Sequence, residues 1–362
     1  MIEKMRILGL KIESKKLKIK KRRDIAMKKI TLKVGVGIFV CLMVVFSSMI
    51  GHAQSQKITM KWAGLNAPTH PGTTIMFKVK EAIENRTGGR VNIEVFSAGS
   101  LIPGREMLEA CRAGLVDAAE VIPAYFPGQM PLSNMAYMIP LANNYDQSYA
   151  VLKEVRPLVE EEYTANGLKL LVLMPFRHEL YFRKPINLDV PDWSGLKFRP
   201  LGGLAKVMAK DLGAGCVSMS SSEAGVALAT RVIDGIGTSL SSYYYLGLHE
   251  HAPYVFVTNS MIAMLNSYAF SVKKWKALPK DVQNIVSEEW TRIMDEWFLE
   301  YNRNEDDKCL NMAKKEGAVM MVPTDSQMKI WREKMKSTWA MFPKKVGPKG
   351  QQYLDIVKRH LK

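Results

Sequence analysis

The chain has 362 residues, 47% hydrophobic and 24% charged, the balance of a globular protein longer than one ordinary domain, which excludes a disordered or fibrous chain. Its formal net charge is +16, yet residues 1–53 hold 13 Lys/Arg against 3 Asp/Glu, which leaves about +6 for the rest. A surplus of that size favours small anionic ligands and does not call for nucleic acid.

The leader is read from its order of parts. Lys28, Lys29 and Lys33 make a positive n-region, Val34 to Ile50 an apolar run, and Gly51-His52-Ala53 puts small residues where a signal peptidase requires them, before Gln54. The run is shorter than the roughly 20 residues of a membrane helix. A cleaved signal peptide and export to the periplasm are therefore expected, and the basic stretch Lys15 to Arg23, long for an n-region, points to Met27 as the start of translation. Cys41 follows Val40 without the small residue that lipid attachment needs. Past the leader remain Cys111, Cys216 and Cys309, an odd number, which argues against a disulfide framework.

Strand and helix patterns then alternate. Ile58, Met60 and Trp62 alternate with Thr59 and Lys61 as in a strand; Ile75, Val79 and Ile83 recur at helical spacing up to Thr87-Gly88-Gly89. Val91, Ile93 and Val95 predict a second strand, and Met107, Leu108, Cys111 and Leu115 a second helix. Val151, Leu152, Val155 and Val159 mark another helix, Leu168 to Met174 a strand buried on both faces, and Leu204, Val207, Met208 and Leu212 a helix stopped by Gly213. This order predicts an α/β fold with mostly parallel sheets. From Val282, apolar residues recur at Val286, Trp290, Ile293, Trp297 and Tyr301, so a single helix from about Asp281 to Lys314 is expected to lie across two domains; the alternative is a break near Asn302 to Asp307.

Signatures of chemistry are few. No Gly-x-Ser-x-Gly elbow, His-Glu-x-x-His, Cys-x-x-Cys or Walker loop occurs. His249-Glu250-His251 could offer two zinc ligands if it were a strand, but two ligands do not make a site, and no metal or other cofactor is expected. Tyr243, Tyr244 and Tyr245 lack the basic stripe that nucleic-acid stacking would need.

Several segments carry a family resemblance in their order and spacing. They are Thr87-Gly88-Gly89-Arg90-Val91, Val95-Phe96-Ser97-Ala98-Gly99-Ser100-Leu101 and Glu109-Ala110-Cys111-Arg112-Ala113-Gly114-Leu115-Val116-Asp117. Further on come Gly195-Leu196-Lys197-Phe198-Arg199, Leu212-Gly213-Ala214, Glu223, Val232-Ile233-Asp234-Gly235, and Glu250 with Tyr254. Together they resemble the dicarboxylate-binding (DctP) type of TRAP-transporter receptor. The resemblance implies a two-domain periplasmic binding protein, not an enzyme, with a ligand cleft between its domains. Residues 54–175 with about 264–303 would form domain I, and 176–263 with about 304–362 domain II. Such a receptor would hand a small organic carboxylate to the integral membrane subunits of a TRAP transporter, with no nucleic acid involved. The alternatives are a binding protein of an ATP-driven importer and an exported metal-dependent hydrolase using His249 and His251.

Ligands of such sheets bind beyond the carboxyl ends of strands, where the loops Asn66 to His70, Tyr125 to Gly128 and Thr238-Ser239 are expected. Arg199, rigidly held on its strand, matches the family's substrate arginine, and its planar fork suits a carboxylate. Arg177 is a second candidate, with His178 or Arg183 as alternatives for the residue facing the cleft; Thr238, Asn66, Tyr125 and Ser221 complete the expected site. Arg112 is expected to pair on its own helix. Where relatives carry an aromatic residue, this chain has Ser220-Ser221-Ser222 before Glu223, and it has Gly225 where a Tyr is common. These departures are expected to open space for a bulkier monocarboxylate.

Overall fold

A computed structural model describes residues 57–134, 144–257 and 264–360, with Lys20, Lys21, Arg23 and Met27. The apolar run and the cleavage site of the leader lie outside the described residues, as do the side chains of Trp297 and Tyr301.

The first sheet opens with β1 (Ile58–Ala63), whose Met60 and Trp62 are fully buried while Thr59 and Lys61 face out. Helix α1 (Pro71–Arg86) begins at a proline, whose missing N–H is no loss there, and is capped by His70, whose Nδ1 accepts the Gly72 N–H at 3.1 Å. It leads to β2 (Val91–Phe96), paired in parallel with β1. Helix α2 (Met107–Ala113) ends at Gly114 with φ 78°, a left-handed cap that turns the chain off the helix axis, so Leu115, expected on the buried stripe, is exposed. Next come β3 (Ala118–Val121), a 3-10 turn at Pro123–Tyr125, α3 (Tyr145–Ala165) and β4 (Leu168–Phe176), in which only Lys169 escapes full burial.

A single residue, Arg177, separates β4 from β5 (His178–Phe182), which lies in a different sheet. The second sheet and its helices follow as β6 (Lys197–Arg199), α4 (Gly202–Asp211), β7 (Gly215–Cys216), α5 (Ser221–Ala229), β8 (Gly235–Ser239), α6 (Leu240–Tyr245) and β9 (Tyr254–Phe256). The chain returns to the first sheet with β10 (Met264–Ser271) and runs on through α7 (Val272–Ala277), α8 (Lys280–Lys315), β11 (Val319–Met321), α9 (Asp325–Val346) and α10 (Pro348–His360).

The strand orders are β2-β1-β3-β10-β4 and β11-β9-β5-β8-β6-β7. Both sheets are mostly parallel, as expected, and each holds one opposed strand: β10 runs antiparallel to β3 and β4, and β5 antiparallel to β8 and β9. Each of these strands enters its sheet from the other one, so it arrives against the direction of its new neighbours.

Helix α8 is continuous, without a break at Asn302 to Asp307. Its Val282, Val286, Trp290 and Ile293 pack in the core of the first sheet, and its Cys309 and Ala313 in a core of the second. Trp290 lies between Tyr268, ring centres 4.6 Å apart, and Trp62 at 5.7 Å. The C-terminal segment divides likewise. Met321, Met328 and Trp331 belong to the second sheet's core, whereas Phe342, Tyr353, Leu354, Ile356 and Val357 return to the first, so the stretch 304–362 is not confined to one side. Cys111, Cys216 and Cys309 are free thiols, the first and last buried. Among the described residues no helix is long and apolar enough to cross a membrane.

Candidate functional site

The two sheets meet along a seam, and Arg199 stands beside it. It is the last residue of β6, 1% exposed, behind the fully buried Phe198. Its Nε and Nη2 donate to the Met219 carbonyl at 3.1 and 3.0 Å, Nη1 donates to the Gly237 carbonyl at 3.0 Å, and Nη2 also reaches the Ser221 Oγ at 3.2 Å. Burial pulls the guanidinium below its ordinary value and Arg105 adds to this, while Tyr125 and Glu223 work against it; an arginine remains charged through such a shift. Four anchoring hydrogen bonds hold the cation still, which is what recognition of a planar anion requires.

A pocket of about 120 Å³ opens over Arg199, and Tyr125, Arg105, Lys206, Met219 and Gly202 share its lining. Three cations border it and no carboxylate does. The Arg105 guanidinium lies 5.2 Å above the Tyr125 ring, a cation–π contact that keeps it over the opening. Tyr125 comes from the first sheet's side and crosses the seam: its hydroxyl accepts the Ser221 N–H at 3.1 Å and lies 3.4 Å from the Ser221 Oγ. Gly203 at the start of α4 donates to the Asn134 Oδ1 at 3.2 Å, a second bond across the seam. A third joins His70 Nε2 and Ser242 Oγ at 3.4 Å. The Gly72 N–H occupies His70 Nδ1, so Nε2 carries the proton and donates. Burial pulls this imidazole down to about 3, which keeps it neutral.

Strand register places Arg199, Thr238, Glu179 and Arg177 on one face of the second sheet, with Arg199 opposite Ile236 and Thr238 opposite Glu179. The structure does not bring Arg177 to the pocket. Its Nε donates to the Glu179 Oε1 at 3.0 Å, both side chains are buried, and its backbone N–H bonds the buried Asp306 of α8. Thr238 is fully buried and its Oγ1 has no hydrogen-bond partner. His178 stands on the opposite face with its ring against Gly237, the residue whose carbonyl binds Arg199; burial first, and then the Arg199 charge, pull it down to about 3. Arg183 is half-buried, and its N–H bonds the Asp234 carbonyl. Asn66 lies outside the pocket lining, in a buried network on the first sheet.

Sequence reasoning missed Arg105 and Lys206, exposed residues that only the fold carries to the pocket. It also missed Glu120, although a carboxylate inside the apolar strand Ala118–Val121 was a signal that donors must surround it. Other expectations change as well. Gly225 packs toward the Leu246 carbonyl and the Leu248 side chain, so it opens no space at the pocket, and Glu223 closes a capping box with Ser220. His249 and Glu250 lie in a 3-10 turn (Leu248–Glu250) capped by His251, in place of a strand, and His249 Nε2 lies 2.6 Å from Glu316 Oε2. Among the described residues no group of three or more His, Cys, Asp or Glu side chains could hold a metal ion. Arg112 pairs with Glu109 on its own helix.

Residues 63–345 match the profile of the bacterial extracellular solute-binding proteins of family 7, DctP. The chain belongs to this family. Family 7 proteins are solute receptors of the periplasm and not enzymes. This receptor is 25% identical over 259 residues to a solute-binding protein of Albidiferax ferrireducens, covering 71% of this chain and 76% of that one. It is 28% identical to a monocarboxylate 2-oxoacid-binding periplasmic protein of Nostoc, covering 63% of each chain. The C4-dicarboxylate-binding periplasmic protein DctP of Vibrio cholerae is 25% identical over 80% of this receptor and 88% of its own length. In fold, the receptor matches the Bordetella pertussis solute receptor DctP7, which binds pyroglutamic acid, with a TM-score of 0.78 at 20% identity, over 83% of this chain and 99% of that one. A TRAP solute-binding protein of Desulfovibrio desulfuricans with bound sn-glycerol-3-phosphate matches at 0.77 and 23% identity, over 84% and 97%.

Proposed function

We propose that this receptor captures a small organic carboxylate at Arg199, between two lobes, and delivers it to the integral membrane subunits of a TRAP-type secondary transporter. The observation that carries the reading is the pocket itself: a buried guanidinium anchored by protein carbonyls, Arg105 and Lys206 beside it, and no acidic side chain in the lining. Such a site is electrostatically incomplete without an anion. The relatives named for 2-oxoacid and C4-dicarboxylate binding support the same class of ligand. The small pocket favours a compact acid over the bulkier one expected from Gly225.

In this reading the first lobe comprises 57–175, β10, the first half of α8 and the chain from about Phe342 onward; the second holds the remainder. The lobes hinge at Arg177 and within α8, and the Tyr125–Ser221, Asn134–Gly203 and His70–Ser242 contacts form when they close. Export with cleavage after Ala53 would place the receptor in the periplasm.

The test is a thermal-shift screen of the exported, purified protein over small carboxylates. A ligand at 100 times its Kd stabilises by about 2.7 kcal/mol, and small-angle scattering at saturation should show a more compact particle. No stabilisation by any carboxylate, together with binding of neutral solutes, would overturn the assignment.

A further inference from the structure

The interior of the first sheet holds a carboxylate that apolar packing does not require. Glu120, in β3, is 1% exposed. Its Oε2 accepts the Leu65 N–H at 2.8 Å, and its Oε1 accepts the Nδ2 groups of Asn66 at 3.0 Å and Asn266 at 2.8 Å. Burial pushes this carboxyl up to about 7, against the pull of those donors and of the Asn66 backbone N–H.

The chemistry of the pairing fixes the direction of both amides. The hydrogen-bond partners of the carboxyl here are all N–H donors, so Asn66 and Asn266 turn their NH₂ groups toward Glu120 and their carbonyl oxygens away from it. In Asn266, itself 1% exposed, this leaves Oδ1 buried without a hydrogen-bond partner. A buried acceptor of that kind is costly unless something donates to it.

The network stands at the edge where a ligand would lie. Asn66 follows the carboxyl end of β1, Glu120 is near that of β3, and Asn266 is near the start of antiparallel β10, at the same edge. Contacts across the seam flank it on both sides. A Cβ at Gly104 would stand 2.6 Å from the Leu65 Cδ1 and 3.3 Å from the Tyr125 Cε2, and one at Gly72 would stand 3.4 Å from the His70 Nδ1 and 3.7 Å from the Glu120 Oε1. Gly72 thus stands beside both Glu120 and His70, and Leu65, whose N–H bonds Glu120, packs toward Gly104 as Tyr125 does; Tyr125 and His70 reach Ser221 and Ser242 of the other sheet.

We propose that Glu120 is a positioning residue that holds Asn66 and Asn266 as hydrogen-bond acceptors, so that the receptor selects carboxylates bearing a hydroxyl or N–H donor away from the end bound by Arg199. This rests on the carboxylate reading above and deepens it. Unsubstituted or fully O-methylated acids leave the Asn266 oxygen unmet and are rejected.

The probes are linear hydroxy acids of about two to six carbons, each with its methyl ether and its unsubstituted alkanoate, titrated calorimetrically into the exported protein. At the best chain length the hydroxy acid should bind at least about tenfold tighter than its ether and its alkanoate, since sites built around a substrate hydroxyl discriminate strongly. Glu120→Gln, whose own amide lets its neighbours turn over, should bring that ratio below about threefold while the hydroxy acid still binds. Asn266→Leu should narrow it likewise and serves if Glu120→Gln does not fold. A purely structural Glu120 would lower stability and weaken all probes alike, leaving the ratio intact, and that result overturns the proposal. So does a ratio near one in the unmodified protein. If no acid of any kind binds, the carboxylate reading itself falls, and this inference with it.

Discussion

The backbone N–H of Ser221 donates to the Tyr125 hydroxyl at 3.1 Å, so the start of helix α5 on the second sheet is tied to the turn that follows β3 on the first. Tyr125→Phe keeps the ring beneath Arg105 and removes the hydroxyl, with this tie and its contacts to the Ser221 hydroxyl and Arg199. A net loss of about 1 kcal/mol is expected, which corresponds to roughly fivefold weaker binding if the tie belongs to the ligand-bound state. Calorimetric titration with the screened carboxylate decides; unchanged affinity would show that the bond does not contribute to closure.

Arg199→Ala should weaken carboxylate binding by roughly 10² to 10³·⁵, the consequence of leaving an anion desolvated and unpaired. It also deprives the Met219 and Gly237 carbonyls of their donors, so a stability loss of about 2–5 kcal/mol should accompany it. Arg199→Lys restores the charge without the planar fork and should recover part of the affinity. Arg112→Ala, which breaks an exposed pair on its own helix, is the control and should leave binding unchanged. Circular dichroism must show each variant folded; near-normal affinity in folded Arg199→Ala would move the anchor elsewhere.

Acidification should destabilise the receptor through its two buried histidines. Folding lowers His70 and His178 from 6.5 to about 3, so between these values only the unfolded chain binds their protons. Their contribution is complete above pH 6.5 and is lost as pH falls through that window, by up to about 4–5 kcal/mol each. Glu120, raised from 4.5 to about 7, works the other way, its effect growing more unfavourable as pH rises across that interval. Urea unfolding between pH 4 and 7 should therefore show a shallower acid limb for His70→Asn and for His178→Gln than for the unmodified protein. Superimposable pH profiles would contradict the burial of neutral imidazoles.

Trp290→Ala should cost about 3–5 kcal/mol, because the indole is fully buried between Tyr268 and Trp62, where helix α8 meets the first sheet. A loss below about 1 kcal/mol in chemical unfolding would mean that the helix is not packed there.

Much of this architecture was readable because local pattern and final environment agree. Met60 and Trp62 alternate with exposed neighbours, Leu168 to Met174 is apolar because both its faces are covered, and Gly213 stops a helix with a φ of +87° that other residues rarely adopt. Arg199 was legible as a charge held on a strand among apolar residues. What stayed hidden depends on partners distant in sequence. The place of β10 between β3 and β4 is fixed partly by Asn266 and Ser267, whose bonds go to Glu120 and the Val121 carbonyl, 146 residues away. His249 gave no sequence sign of its partner Glu316, 67 residues on, and Arg105 carried no mark of its own before the fold set it over Tyr125.

The return of the last helix to the first core bears on how the chain folds. Tyr353, Leu354, Ile356 and Val357 of α10 complete the packing begun by Met60 and Trp62 almost three hundred residues earlier, and β10 supplies an interior strand of the same sheet from about three-quarters of the way along. No N-terminal fragment can bury that core, so cooperative folding must wait for the final turns of the chain. The many contacts between distant segments make the search slow. A growing chain with this wiring leaves its first core unfinished until its last helix has been made.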